Sequence, residues 1–196
     1  MGQNVAHMSG SSSSHGAEKA PAKTVLIVED NELNMKLFND LLEPGAAAVV
    51  NADMPEASRV IVACREKELE VITTGKSACG IRLVNHEQDG FGQKLDVQYG
   101  GQCFDVALPL VGDFQASNAL MAAGLVIATG GDPAKVFAAL TSLQGAKGRL
   151  DLVTRSASGA PVFVDYAHTP DALETALQSL RPSSDKRLAV GVGCGG

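Results

Sequence analysis

The sequence predicts an α/β fold, a mixed sheet whose first strands run among helices and whose last strands form a β-hairpin. Three observations carry that expectation. Short aliphatic and β-branched runs in the N-terminal half have the look of parallel strands covered on both faces. In "QKLDVQYGGQCFDVALPL" the period drops to two, with Leu95, Val97 and Tyr99 before Gly100-Gly101 and Phe104, Val106 and Leu108 after it, the pattern of a hairpin on a glycine turn. In "GAPVFVDYAHTPDALETALQSLRP", residues 159–182, a strand runs through a loop into a helix with a clear start signal.

Composition narrows the partners. The 196 residues are 45% hydrophobic and 19% charged, ordinary for one or two globular domains. A net charge of −6 offers no general attraction to phosphate backbones or anionic lipid, which argues against nucleic acid and membrane as partners. No apolar run approaches the ~18 residues of a membrane span. Cys64, Cys79, Cys103 and Cys194 lack CxxC spacing, so they read as reduced thiols in a cytosol rather than a zinc site, and the expected location is cytoplasmic.

Residues 1–22 have no periodicity and few large apolar groups, so a flexible tail is expected. Its "AHMSGSSSSHG" portion reads as a linker or cloning sequence, and His7 and His15 within it make no metal site. Order is expected from "KTVLIVEDNELNMKLFNDLLE", residues 23–43. Val25 to Val28 make a strand; Asp30 or Asn31 then caps a helix striped by Leu33, Leu37 and Leu41.

This stretch resembles the opening strand and helix of response-regulator receivers. The resemblance implies that Glu29 and Asp30 help hold Mg²⁺, a hard cation suited to carboxylates. The other reading of the pair is acidic helix-start chemistry, and it is the one we adopt, because the aspartate and the Thr/Ser and Lys partners of a receiver are not found downstream.

From Pro44 onward three further strands are expected, Ala46–Val50, Val60–Ala63 and Val71–Thr73, and "CGIRLVNHEQDGFG" supplies the strand before the hairpin, with His86 as a surface residue near its exposed end. "GKS" at Gly75-Lys76-Ser77 is the tail of a phosphate loop, but Glu70 stands where the first glycine belongs and a strand rather than a helix follows, so Lys76 is not assigned a nucleotide. Two helices come next, Gln115–Ala128 and Pro133–Leu143, the second capped by Asp132 with proline at its first position. In the last part Val162–Val164 form a buried strand, Thr169 caps a helix opened by Pro170, and Leu173, Ala176, Leu177 and Leu180 make its inward stripe.

The series "GDFQASNALMAAG", "GAKGRLD" and "VFVDYAHTPDALETAL" with a following "GCGG" resembles the Mur ligases of peptidoglycan synthesis, within them the ligase that adds the third amino acid to a UDP-N-acetylmuramoyl dipeptide, over about Ala46 to the end. The implied fold is the second half of the family's central domain, hairpin included, over 44–147, and the first βαβ of its Rossmann-like C-terminal domain over 148–196. The resemblance implies ATP and Mg²⁺ as cofactors and amide formation through an acyl phosphate. It places Asn118 and Gln115 at adenine, Arg149 at the ATP phosphates, Asp165 at the ribose, and His168 and Tyr166 in the nucleotide-facing loop. Gln115 stands where several relatives carry asparagine.

No complete glycine-rich phosphate loop occurs in the 196 residues, nor a counterpart of the family's metal-binding half-domain or amino-acid site. The expectation is therefore a chimera, a receiver-like unit joined near Pro44 to a ligase fragment inactive by itself, with a non-enzymatic scaffold or a phosphorelay-derived protein as the alternatives. Exposed sheet edges would favour homo-oligomers.

Overall fold

The computed structural model describes residues 25–27, 42–184 and 187–193, for Val25–Ile27 as backbone path alone. The tail, the helix expected after the first strand, Glu29 and Asp30 lie outside the described residues. In chain order come β1 (Val25–Ile27), β2 (Ala47–Asn51), α1 (Ala57–Glu66), β3 (Glu70–Gly75), β4 (Ile81–Asp89), β5 (Gly92–Tyr99), β6 (Gln102–Leu108), α2 (Asp113–Ala128), α3 (Pro133–Leu140), β7 (Asp151–Arg155), β8 (Pro161–Val164) and α4 (Pro170–Leu180), which ends in a 3-10 turn at Arg181–Ser183. β1 to β6 form one sheet in sequence order, parallel from β1 to β4 and antiparallel from β4 to β6; β7 and β8 form a separate antiparallel pair.

β2 explains the continuous apolar run. Its side chains alternate between two helices, with Ala48 and Val50 joining Val60 and Cys64 of α1 on one face and Ala47 and Val49 joining Ala128 of α2 on the other. A strand sandwiched in this way has no polar face to show. The expected strand Val60–Ala63 is corrected here: it is part of the helix α1. Ala57, Val60 and Cys64 fall at i, i+3 and i+7 and are buried, while Val62 is exposed. Tertiary context decides it, because β2 and β3 are parallel neighbours and a parallel pair needs a crossover long enough for a helix.

β3 and β4 are also parallel, yet only five residues separate them. They overlap at just two pairs, Thr74 with Ile81 and Gly75 with Arg82, so β4 begins where β3 ends. The short hook is held by Thr73 Oγ1, which accepts from the N–H groups of Cys79 (3.1 Å) and Gly80 (3.0 Å).

The hairpin forms as expected. Gly100 and Gly101 have φ of 57° and 79°, the positive pair that a type I′ turn requires. Inward residues of β4, β5 and β6 meet α2 and α3 in the largest core cluster, where Phe137, 1% exposed, stacks on Phe104 with ring centroids 4.5 Å apart. α2 is apolar almost all round because the sheet covers one side and α3 another.

The C-terminal unit docks through a smaller cluster in which Leu150, Ala176 and Phe163 meet Val111, Phe91 and Phe114. Thr169 caps α4 by accepting from Ala172 N, and Pro170 stands at its start. The buried strand expected at Val162–Val164 is half right. Phe163 is covered by Phe91 at 5.5 Å, but Val162 and Val164 are 40% and 47% exposed, since β8 pairs only with β7 and α4 lies on the other face. Of the expected βαβ, the first strand and the helix form; residues 187–193 carry no regular secondary structure.

Gly124 of α2 faces the sheet so closely that a Cβ there would lie 2.7 Å from Val49 Cγ1, on a β-branched side chain with no room to move. A helix ordinarily gains ~1 kcal/mol from Gly to Ala. Here Gly124→Ala is expected to lower stability instead, by about 1–3 kcal/mol of overpacking, read from urea denaturation.

Candidate functional site

α2 organises the polar groups. At 100° per residue, Asp113, Ala116, Ser117 and Leu120 share one side of the helix, while Gln115 and Asn118 share the opposite one. The two sides carry different sites.

On the Gln115 side, three bonds converge on the linker Gly148-Arg149-Leu150. The Gln115 amide, 7% exposed, donates from Nε2 to the Arg149 carbonyl (3.1 Å). The Asp165 carboxylate accepts from Leu150 N at one oxygen and from Ala167 N at the other, both at 2.8 Å. Tyr166 N donates to the Gly148 carbonyl (2.8 Å). The linker needs such fastening, because Gly148 at φ 71° and Leu150 at φ 48° both lie in the left-handed region and Leu150 is bulky there. Burial of Leu150 in the interface cluster and its N–H bond to Asp165 hold it in place.

Around this corner the remaining groups point outward. The Arg149 side chain is exposed, and Asn118 presents its amide to solvent one turn along α2 from Gln115. Tyr166 is 73% exposed and packs edge-on to the His168 ring at 5.4 Å. His168 Nδ1 sits 3.0 Å from the Tyr166 carbonyl, which accepts only, so Nδ1 carries the proton and Nε2 is left as an acceptor toward solvent. Each Asp165 oxygen, having accepted one N–H, retains a lone pair. The linker and the loop after β8 thus offer a planar cation, a carboxylate with spare acceptor capacity and an imidazole, and the exposed amide of Asn118 stands on α2 one turn from Gln115. The structure brings together Gln115, Arg149, Asp165, Tyr166 and His168, with Asn118 on the same helix face as Gln115.

On the other side of α2 lies a cleft of about 490 Å³ at the carboxyl ends of β2 and β3, lined by Asn51, Asp53, Lys76, His86, Asp113 and Ser117 above Leu83 and Leu120. The GKS loop is here, and its anion position is already filled. Asp53 Oδ2 and Oδ1 accept from the N–H groups of Lys76 and Ser77, both at 2.8 Å. A phosphate would meet a fixed carboxylate.

The His86 expectation is corrected. It is half-buried and lines this cleft, with Nε2 2.6 Å from Gln93 Oε1 and 3.8 Å from an Asp113 carboxylate oxygen. The cause is a bulge in β4 between Leu83 and Asn85 that shifts the register, so that inward residues are odd-numbered before it and even-numbered after it. No pattern in the sequence announces it. Among the described residues, no group of three or more His, Cys, Asp or Glu converges to hold a metal ion. No helix among the described residues is long and apolar enough to cross a membrane.

The described chain is an α/β domain with a second strand–helix unit packed against it. Comparison with known proteins gives the family. Residues 31–126 match the Mur ligase middle domain and residues 148–196 the glutamate ligase domain of Mur ligases, and the chain belongs to that family. It is 49% identical over 166 residues to the UDP-N-acetylmuramoyl-L-alanyl-D-glutamate--2,6-diaminopimelate ligase of Bradyrhizobium diazoefficiens, covering 83% of this chain and 34% of that protein. The chain thus spans about a third of the length of this relative. Among solved structures it is similar to the UDP-N-acetylmuramoylalanyl-D-glutamyl-2,6-diaminopimelate--D-alanyl-D-alanyl ligase of Acinetobacter baumannii, with TM-score 0.65, 20% identity and coverage of 75% of this chain and 32% of that one, a likeness of fold. It is also similar to Mycobacterium tuberculosis folylpolyglutamate synthase complexed with ADP and AMPPCP, with TM-score 0.56, 28% identity and coverage of 72% and 32%.

Burial alone would raise the Asp53 carboxyl. The N–H groups of Lys76 and Ser77, the Ser77 hydroxyl and the Lys76 charge outweigh it and hold the group below its ordinary value of 3.8. A depressed carboxylate stabilises the fold above its unfolded pKa and loses that contribution as pH falls through the folded one. The stability difference between wild type and Asp53→Asn is therefore expected to be constant near neutrality and to shrink on acidification below the ordinary carboxylate range, measured by denaturation at a series of pH values.

Proposed function

We propose that the linker corner is the adenine-nucleotide side of an ATP-dependent ligase that joins an amino acid, diaminopimelate as in the relatives' names, to a UDP-N-acetylmuramoyl dipeptide in the bacterial cytosol. The observation that carries the reading is the convergence of Gln115, Asp165 and Tyr166 on the Arg149 linker at the start of α2. A guanidinium beside that linker is suited to phosphate oxygens, to which it can donate two bonds in parallel. The spare lone pairs of Asp165 suit vicinal hydroxyls, and the Asn118 amide can both donate to and accept from a purine edge. Gln115 is given a different role from the one the resemblance implies: its Nε2 is engaged with the Arg149 carbonyl, so it orients the linker instead of reading adenine.

In such a ligase ATP phosphorylates a carboxylate and an amine then displaces phosphate. Within these residues Arg149 would steady phosphate charge as it develops, acting as a preorganised donor. Turnover also needs a loop that grips the triphosphate, which the 196 residues do not contain, so binding is the proper measurement.

A second reading has one observation in its favour. β1 comes from the receiver-like stretch and pairs in parallel with β2 from Val25↔Ala47 to Ile27↔Val49, as a scaffold would if a borrowed strand completed its sheet. Nucleotide binding separates the two. Calorimetry with ATP is expected to give a saturable isotherm that weakens about tenfold in Arg149→Ala, the loss of one charge-assisted contact. Absence of binding, or equal affinity in the variant, would leave the scaffold.

A further inference from the structure

Gln93, on β5 and 1% exposed, is the partner of the cleft's His86 and reaches beyond it. Its amide makes three bonds. Nε2 donates to the carbonyls of Leu110 (2.7 Å) and Gly112 (3.0 Å), and Oε1 lies 2.6 Å from His86 Nε2. Two carbonyl partners fix the amide's orientation, so Oε1 must accept and His86 Nε2 must carry the proton. Leu110 to Gly112 is the turn that delivers the chain into α2. Gly112 is the residue before the helix, has φ 95°, and offers no side chain to cap it. A Cβ there would meet Phe114 at 2.9 Å and Ser179 of α4 at 3.0 Å, so the turn is wedged against the C-terminal unit.

The Gly112 carbonyl accepts twice, from Gln93 Nε2 and from the backbone N–H of Gln115 (2.9 Å). Gln115 in turn holds the Arg149 carbonyl. A continuous path therefore runs from His86 through Gln93 and Gly112 to Gln115 and the linker, in four hydrogen bonds between named atoms. We infer that Gln93, locked by His86, is a positioning residue: it sets the first turn of α2 and through it the placement of Arg149. A purely apolar residue in its place would leave the carbonyls of Leu110 and Gly112 without this donor at the entrance of α2, and His86 Nε2 without its acceptor. For ligand binding the inference rests on the nucleotide reading above; for the geometry of α2 it does not.

The test uses the full chain with Gln93→Met, which keeps the volume and removes all three bonds, and His86→Leu, which frees only Oε1. Phe137→Leu, in the same core, is the control for general loss of stability. Hydrogen exchange is read at the Gln115 and Ala123 amides, and ATP affinity is measured well below the melting temperature. The Gln115 amide is expected to exchange about tenfold faster in Gln93→Met with Ala123 little changed, His86→Leu giving a smaller effect in the same place, while ATP affinity falls about tenfold. In Phe137→Leu both amides are expected to speed up together and affinity per folded molecule to hold. Equal acceleration of both amides in Gln93→Met, or unchanged ATP affinity beside a binding wild type, overturns the inference. If wild type binds no ATP at all, the nucleotide reading falls, and the Gln115 amide still decides whether Gln93 positions α2.

Discussion

A three-residue linker is held by hydrogen bonds from both of the units it joins. Gly148 and Leu150 lie in left-handed backbone, and the peptide groups around them are satisfied by groups from both sides of the junction: Gln115 from the middle-domain helix, and Asp165 and Tyr166 from the loop after β8. Buried backbone groups at a junction must find partners somewhere. Here they find them in residues that also define the candidate site, so the bonds that fasten the linker also order the corner.

The same economy explains the other side of α2. The Asp53 carboxylate occupies the N–H pair of the GKS loop, closing the hook that lets β4 start where β3 ends. A sequence fragment that looks like phosphate chemistry serves as structure, with the protein's own anion in the seat. Across the helix, the buried amide of Gln93 holds the turn that begins it.

Much of the architecture was legible in the residues. Alternation around Gly100-Gly101 gave the hairpin, and Thr169-Pro170 and Asp132-Pro133 marked two helix starts where the structure has them. Misreading came where local pattern is ambiguous. Val60-Ile61-Val62-Ala63 fits a strand by composition, and only the parallel pairing of β2 with β3 makes it a crossover helix; the spacing of Ala57, Val60 and Cys64 was the available clue. The inward turn of His86 depends on a bulge, which leaves no periodic trace. Convergence of Gln115, Arg149 and Asp165 across 50 residues of chain came from family resemblance, since no spacing rule relates them, and the bonds that join them had no sequence signal at all.

The most direct test of the linker corner as a nucleotide site is an ATP titration followed by amide chemical shifts in the assigned protein. The account expects shifts concentrated at Asn118, Arg149, Leu150 and the loop from Asp165 to His168, with Lys76 and Ser77 unmoved because Asp53 holds them. Shifts centred on the GKS loop and its cleft, with the linker silent, would contradict it.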